Sequence, residues 1–227
     1  SLDSHSHASV RRLSQRYIFN GEFMISLDMA KKLIHSFWPD NGIFNGCENS
    51  DQLIKLQNEK NTVFPKEFHE FFAKVVSEND YYFSMVGNPI SLLSSDKYSW
   101  TMPGYNFNPV TNEVITDWES NWFLFADEGS DPIIIDISEQ TEYSTVYKAM
   151  HGAGKWDFTP IASSLGQFIL CASALHHALT GFDIEDSIID DDYGFNLAEI
   201  PADFLFPLIE KHAADFCDDW VSVFDNY

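Results

Sequence analysis

An acidic chain folds only if it can bury enough apolar surface to outweigh its own repulsion. Here 35 Asp and Glu stand against 13 Lys and Arg, a formal net charge of −22 over 227 residues. The excess is concentrated, since residues 183–227 hold more than half of it with a single lysine among them. That stretch also carries Phe195, Phe204, Phe206, Phe216, Trp220 and Phe224, whose burial can order it, so it reads as a folded acidic face and not a floppy brush. At 44% hydrophobic and 15% aromatic, the chain can build a sizeable core, enough for one domain with additions. Such a surface repels phosphate backbones and anionic lipid and attracts cations, so neither nucleic acid nor membrane is expected as a partner. The plainer alternative is that the charge only keeps the protein soluble.

Cys47, Cys171 and Cys217 are odd in number, far apart and without a C-x-x-C pair, which suggests reduced thiols in a cytoplasm and neither a disulfide framework nor a zinc knuckle. No apolar run reaches membrane-spanning length, and the first residues lack the order of a signal peptide, so a soluble, cytoplasmic chain is expected. His5 and His7 have a spacing that could hold a metal, but near a chain end they read as part of a polar arm.

Asp28 is placed to cap a helix whose apolar positions Met29, Ala30, Leu33, Ile34, Phe37 and Trp38 recur at helical spacing until Pro39. Turn-forming residues from Gly42 to Ser50 then mark a boundary near residue 50. A second helix is expected over 66–77, opened by Pro65, with Phe68, Phe71, Phe72, Val75 and Val76 on its core face and Lys66, Glu67, Glu70 and Lys74 facing water. Short β-rich stretches follow at 81–86, 113–118, 121–126, 132–138 and 145–150. Asp127-Glu128-Gly129-Ser130-Asp131 joins two of them as an exposed hairpin tip, since Gly129 tolerates positive φ and the acids tolerate water. After a turn at Gly152-Ala153-Gly154, Ser163 or Ser164 opens a last helix closed by Gly181.

Three segments in that order resemble the SUKH superfamily of Smi/Knr-like domains. Phe64-Pro65-Lys66-Glu67-Phe68-His69-Glu70-Phe71-Phe72 is similar to the family's entry helix, with phenylalanine replacing leucine twice. Trp122 to Asp131 followed by Ile133-Ile134-Ile135-Asp136 is similar to its paired strands, and Pro160 to Phe168 to its closing strand-to-helix segment. The resemblance spans roughly residues 50–180 and implies an α+β fold, an antiparallel sheet flanked by helices. Residues 1–49 would then be an N-terminal helical extension, 50–181 the SUKH-like domain, and 182–227 an acidic, aromatic-rich extension packed on it. The function it implies is immunity in bacterial toxin systems, where the domain binds and neutralises a cognate toxin, often a nuclease; other members act as scaffolds. Neither role requires catalysis.

Chemical motifs fail on spacing. Gly152-Ala153-Gly154-Lys155 lacks the first glycine of a phosphate loop, and Trp156 replaces its magnesium-binding hydroxyl. His69-Glu70 has Ala73 where a metalloprotease helix needs a second histidine, leaving an exposed helix edge. Asp190-Asp191-Asp192-Tyr193-Gly194 departs from the calcium-loop pattern at Tyr193. His176 and His177 point apart on a helix, one toward the core edge and one toward solvent. No serine or cysteine sits in a nucleophile elbow. Trp100, Trp118, Trp122, Tyr98 and Tyr105 could line a sugar-binding platform, although filling a core and a sheet face accounts for them better.

The expectation is a non-catalytic binding protein without cofactor or metal, whose partner is a basic protein, a toxin. The candidate partner-binding residues are Asp127, Glu128 and Asp131 at the hairpin and Asp183, Glu185, Asp186, Asp190, Asp191 and Asp192 in the C-terminal segment. A scaffold role and a metal-dependent hydrolase using clustered carboxylates stand as alternatives. Oligomeric state is not readable from the residues.

Overall fold

A computed structural model describes residues 24–46 and 50–227. The expectations for His5, His7 and Cys47 fall outside those residues. The first helix, α1 (Leu27–Phe37), ends just before Trp38-Pro39 as the sequence requires, but its cap is Ser26, whose Oγ accepts the Met29 N–H at 3.1 Å. Asp28, read above as the cap, lies in the first turn and pairs with Lys74 at 3.2 Å. Helix α2 (Asp51–Lys60) was not expected; only Leu53 and Leu56 of its ten residues are buried, too few to mark a stripe in sequence. Helix α3 (Lys66–Lys74) follows Pro65 and buries Phe68, Phe71 and Phe72, as the periodicity predicts.

Eight strands come next. They are β1 (Tyr81–Phe83), β2 (Ile90–Leu92), β3 (Phe107–Asn108), β4 (Glu113–Val114), β5 (Trp122–Glu128), β6 (Asp131–Asp136), β7 (Val146–Lys148) and β8 (Thr159–Ala162). Six of them form one antiparallel sheet in the order β1-β2-β5-β6-β7-β8, and β3 with β4 forms a separate ribbon. The stretch 113–118 therefore supplies no strand of the main sheet. The long helix α4 (Leu165–Thr180) follows β8, capped by Ser164 Oγ and closed at Gly181. A hairpin of β9 (Ile188–Asp191) and β10 (Gly194–Leu197), then α5 (Glu199–His212) and the short α6 (Cys217–Trp220), complete the described chain. This is an α+β architecture, an antiparallel sheet with helices against it.

Both faces of the sheet are buried, by different means. Phe123, Ile133, Ile135 and Val146 point to the helices, where Phe68, Phe71 and Phe168 complete a phenylalanine-rich core. The residues next to them along the strands, Leu124, Ile134 and Tyr147, point the other way and are covered by Met102 and Trp118, with Tyr105, Trp122, Trp156 and Phe158 packed around them. Period-2 alternation of apolar residues to both faces explains why β5 and β6 read as continuous hydrophobic runs. A register shift between Leu124 and Ala126 places Phe125 as an extra residue, so Phe125 and Ala126 both join the helix-side core. That core is continuous with α1 through Ala30 and Ile34, and with the C-terminal segment through Leu205, Trp220 and Phe224.

Candidate functional site

The β5–β6 turn has φ of 57° at Gly129 and 76° at Ser130, the two consecutive positive values of a tight hairpin turn. A side chain at Gly129 would also strike the Asn88 side chain, so this position needs glycine twice over. The acids flanking it are not the free, exposed tip expected from sequence. Asp127, Glu128 and Asp131 are all partly buried. Glu128 Oε2 pairs with Lys148 Nζ at 2.8 Å, and Asp131 Oδ1 takes both the backbone N–H of His151 at 2.9 Å and its Nδ1 at 2.6 Å. Burial pushes the Asp127 carboxyl above its ordinary range, and the charge of Asp80 adds to the effect against an opposing bond from the Ser130 backbone. These partners lie on β7 and in the loop after it, 20 residues along the chain, which is why local sequence could not show them.

The C-terminal acids behave differently. Asp183, Glu185 and Asp186 lie in the loop after α4, Asp190 and Asp191 on β9, and Asp192 at the β9–β10 turn, and all six are exposed. Tight anchoring below them holds this segment. Leu197 is buried, Phe195 stacks on Phe224 with ring centroids 6.1 Å apart, and Asp225 Oδ2 accepts the Phe195 N–H at 2.7 Å. Asn226 bonds Leu197 from both ends of its amide, accepting its N–H at 3.0 Å and donating to its C=O at 2.9 Å. Local hydrophobicity did not reveal this hairpin, because two of the four residues of β9 are aspartates.

The aromatic platform is mostly core. Tyr98 is 2% exposed and Trp118 7%. Trp100 lies between Phe64, stacked at 5.6 Å, and the Lys60 ammonium 4.2 Å over its ring, while its Nε1–H bonds Leu56 O at 2.8 Å. What remains open is a cleft of about 270 Å³ among Lys60, Met102, Asn106, Val114, Trp118 and Trp122.

Two histidine expectations are corrected as well. His176 and His177 are both half-buried, the first stacked on Trp38 at 4.7 Å and the second among Phe37, Phe182 and Phe204. His69 is likewise part-buried, and burial lowers its pKa. The turn at Gly152 and Gly154 has positive φ at both and stays exposed, in the loop that joins β7 to β8. Among the described residues, no group of three or more His, Cys, Asp or Glu is placed to hold a metal ion. Among them, too, no helix is long and apolar enough to cross a membrane.

A buried antiparallel sheet, a phenylalanine-rich entry helix that feeds it and an exposed acidic segment beside it define a compact α+β module with a charged face. Residues 48–171 match the SMI1 / KNR4 family (SUKH-1), more than half of the chain, and the protein belongs to that family. The match ends within α4, so the exposed C-terminal acids lie beyond it. No curated protein matches the chain.

Proposed function

We propose that this protein is a non-catalytic binding module, an immunity protein that neutralises a basic, nucleic-acid-handling toxin by covering it with an acidic face. The observation that carries this reading is the exposure of Asp183, Glu185, Asp186, Asp190, Asp191 and Asp192 on a segment pinned to the core by Phe195, Leu197, Asp225 and Asn226. Charges held on an ordered frame steer an oppositely charged partner without the ordering entropy that a disordered tail loses on binding. Family membership supports it in general terms, because the resemblance implies toxin immunity among the family's roles. The hairpin acids enter this reading as supporting charge only, since Glu128 and Asp131 already have partners within the chain.

The test is association kinetics with the product of the neighbouring gene over a range of ionic strength. Fast association that slows as salt rises, and slows again when the six acids are neutralised, supports electrostatic capture. Binding whose rate ignores both salt and the six substitutions moves the weight to a scaffold role in which the charge only solubilises.

A further inference from the structure

A pocket of about 180 Å³ opens where the sheet meets the C-terminal segment. Its walls are apolar, formed by Met85 and Ile90 from the β1–β2 side, Leu175 of α4, and Val223. Trp220 closes one side; it is 5% exposed and fixed by donating its Nε1–H to Ile161 O at 2.8 Å. Of the lining residues Gly87 and Val223 are exposed, and a side chain built at Gly87 would meet nothing within 4 Å.

Three charged side chains reach into this apolar surround. Lys148 and Glu128 form their 2.8 Å pair with side-chain exposures of 28% and 22%. Asp219, an exposed residue that also lines the pocket, is the third, so two carboxylates face one ammonium and the pocket keeps one negative charge. Burial makes the Asp219 carboxyl harder to ionise than usual, and Lys148 offsets this only in part. Carboxylates beside apolar walls are matched by a cation that enters with an apolar stem.

We propose that this pocket is a socket for one arginine side chain of a basic protein partner, with the guanidinium against Asp219 and Glu128 and the aliphatic stem against Met85, Leu175 and Val223. The proposal deepens the protein-binding reading above and rests on it. Arginine fits better than lysine because its planar guanidinium is weakly hydrated, offers several donors in a fork to two carboxylates, and packs well beside an indole. The socket also joins the β5–β6 hairpin to the C-terminal helix, since Glu128 ends β5 and Asp219 belongs to α6. An arginine seated there would anchor the partner through its stem against Met85, Leu175 and Val223 and its head against the two carboxylates.

The test uses the full chain, ¹⁵N-labelled and titrated with N-acetyl-arginine methylamide. The expected result is a saturable shift of the Trp220 indole N–H and the Gly87 amide. The neutral citrulline analogue should bind at least about tenfold more weakly, and Asp219→Asn should weaken arginine binding by a similar factor, as for a charge-assisted hydrogen bond. Shifts confined to residues 183–192, an equal response to the citrulline or lysine analogue, or an unchanged affinity in Asp219→Asn overturn the socket. The two readings fail separately. Salt-dependent capture of the neighbouring toxin that Asp219→Asn leaves untouched removes the socket alone, and absence of any toxin binding removes the immunity reading.

Discussion

Glu67, on the first turn of α3, accepts the backbone N–H of Leu165 at 2.7 Å across 98 positions of sequence, and the same Oε1 accepts the Ser144 N–H at 3.0 Å. The carboxylate thus satisfies a donor at the N-terminus of α4, where the helix dipole also favours negative charge. It does so while only 3% exposed, and its Oε2 has no partner among the described residues. The sequence placed Glu67 in water, and the structure corrects this: Glu67 lies four residues before Phe71, on the edge of the same helical stripe, and ties α3 to α4 and to the strand approach at Ser144.

Burial pushes the Glu67 carboxyl up to about 7, with the amides of Leu165, Ser144 and Gly166 pulling the other way. A folded pKa above the unfolded value means that the folded state holds the proton more tightly between the two. This group's contribution to stability is therefore fullest below the unfolded pKa of about 4.3 and is lost as pH rises through about 7. Glu67→Gln keeps an acceptor for both amides and removes the titration. The melting temperature of the variant relative to wild type should rise from pH 5 to pH 8, by the equivalent of about 3 kcal/mol. Glu67→Ala leaves both N–H groups without their acceptor and should be less stable than Glu67→Gln at every pH, by about 2–4 kcal/mol. A pH-independent difference between Glu67→Gln and wild type in thermal unfolding would refute the assignment.

Phe68 is fully buried and packs against five rings, those of Phe64, Phe71, Tyr98, Phe123 and Phe125, at centroid separations of 5.2–6.1 Å. Phe72 is 2% exposed and contacts Tyr98 at 5.4 Å. Truncating either to alanine should destabilise by about 3–5 kcal/mol, read from chemical denaturation. A loss below 1 kcal/mol at Phe68 would mean that the cluster does not hold α3 to the sheet.

The legible parts of the fold were those where one residue's environment follows from its neighbours. Periodic phenylalanines gave α3, the apolar helix between Ser164 and Gly181 gave α4, and Gly129 between two hydrophobic runs gave the β5–β6 turn. The missed elements have weak local signals: Ile90–Leu92 is a three-residue strand, and α2 buries only two side chains. For the acids, sequence gave position but not environment. Asp131 and Asp190 look alike in the chain, yet one is held by His151 and the other is exposed, because the pairing partner is contributed by a distant strand connection. The socket was invisible for the same reason, as Glu128, Lys148 and Asp219 meet only once the sheet and α6 are in place.

The hairpin turn makes two predictions of opposite size. Asp127→Asn with Asp131→Asn removes one pair to a largely exposed imidazole and one carboxyl that burial already disfavours as an anion. The double variant should stay within about 1 kcal/mol of wild type, a shift of about 2–4 °C in calorimetry. Gly129→Ala combines strain at positive φ with a clash against Asn88 and should destabilise by about 1–3 kcal/mol. Adding Asn88→Ala should recover part of that loss, and strict additivity of the two substitutions would show that the clash is absent.

His176 accepts the Ser84 N–H at Nδ1, 2.8 Å away, which fixes the proton of the neutral ring on Nε2. Burial and the neighbouring His177 lower its pKa. The sign is opposite to that of Glu67: the unfolded chain binds this proton more tightly, so the contribution is full above about 6.5 and is lost as pH falls through the depressed folded value. Imidazole resonances followed by NMR should place the midpoint of His176 below that of an unstructured histidine. A midpoint at or above the ordinary value would mean that the Ser84 bond does not persist in solution.

Asn226 separates presentation of the acidic segment from its charge. Its amide holds Leu197 through two hydrogen bonds, and Asn226→Ala removes both without altering any charge. Hydrogen exchange at the amides of β10 should accelerate, with a loss of about 1–2 kcal/mol in local stability and little change in the helix–sheet core. If the acids act from a rigid hairpin on a basic partner, this variant should keep its association rate, because steering depends on charge, and should dissociate faster, because a loosened hairpin has to be reordered on binding. Neutralising the six acids should produce the reverse, slower association with a smaller effect on dissociation. Surface plasmon resonance on the two variants with the neighbouring gene product reads both rates. A common kinetic signature for the two would show that charge and frame do not act separately, and electrostatic capture from an ordered face would have to be abandoned.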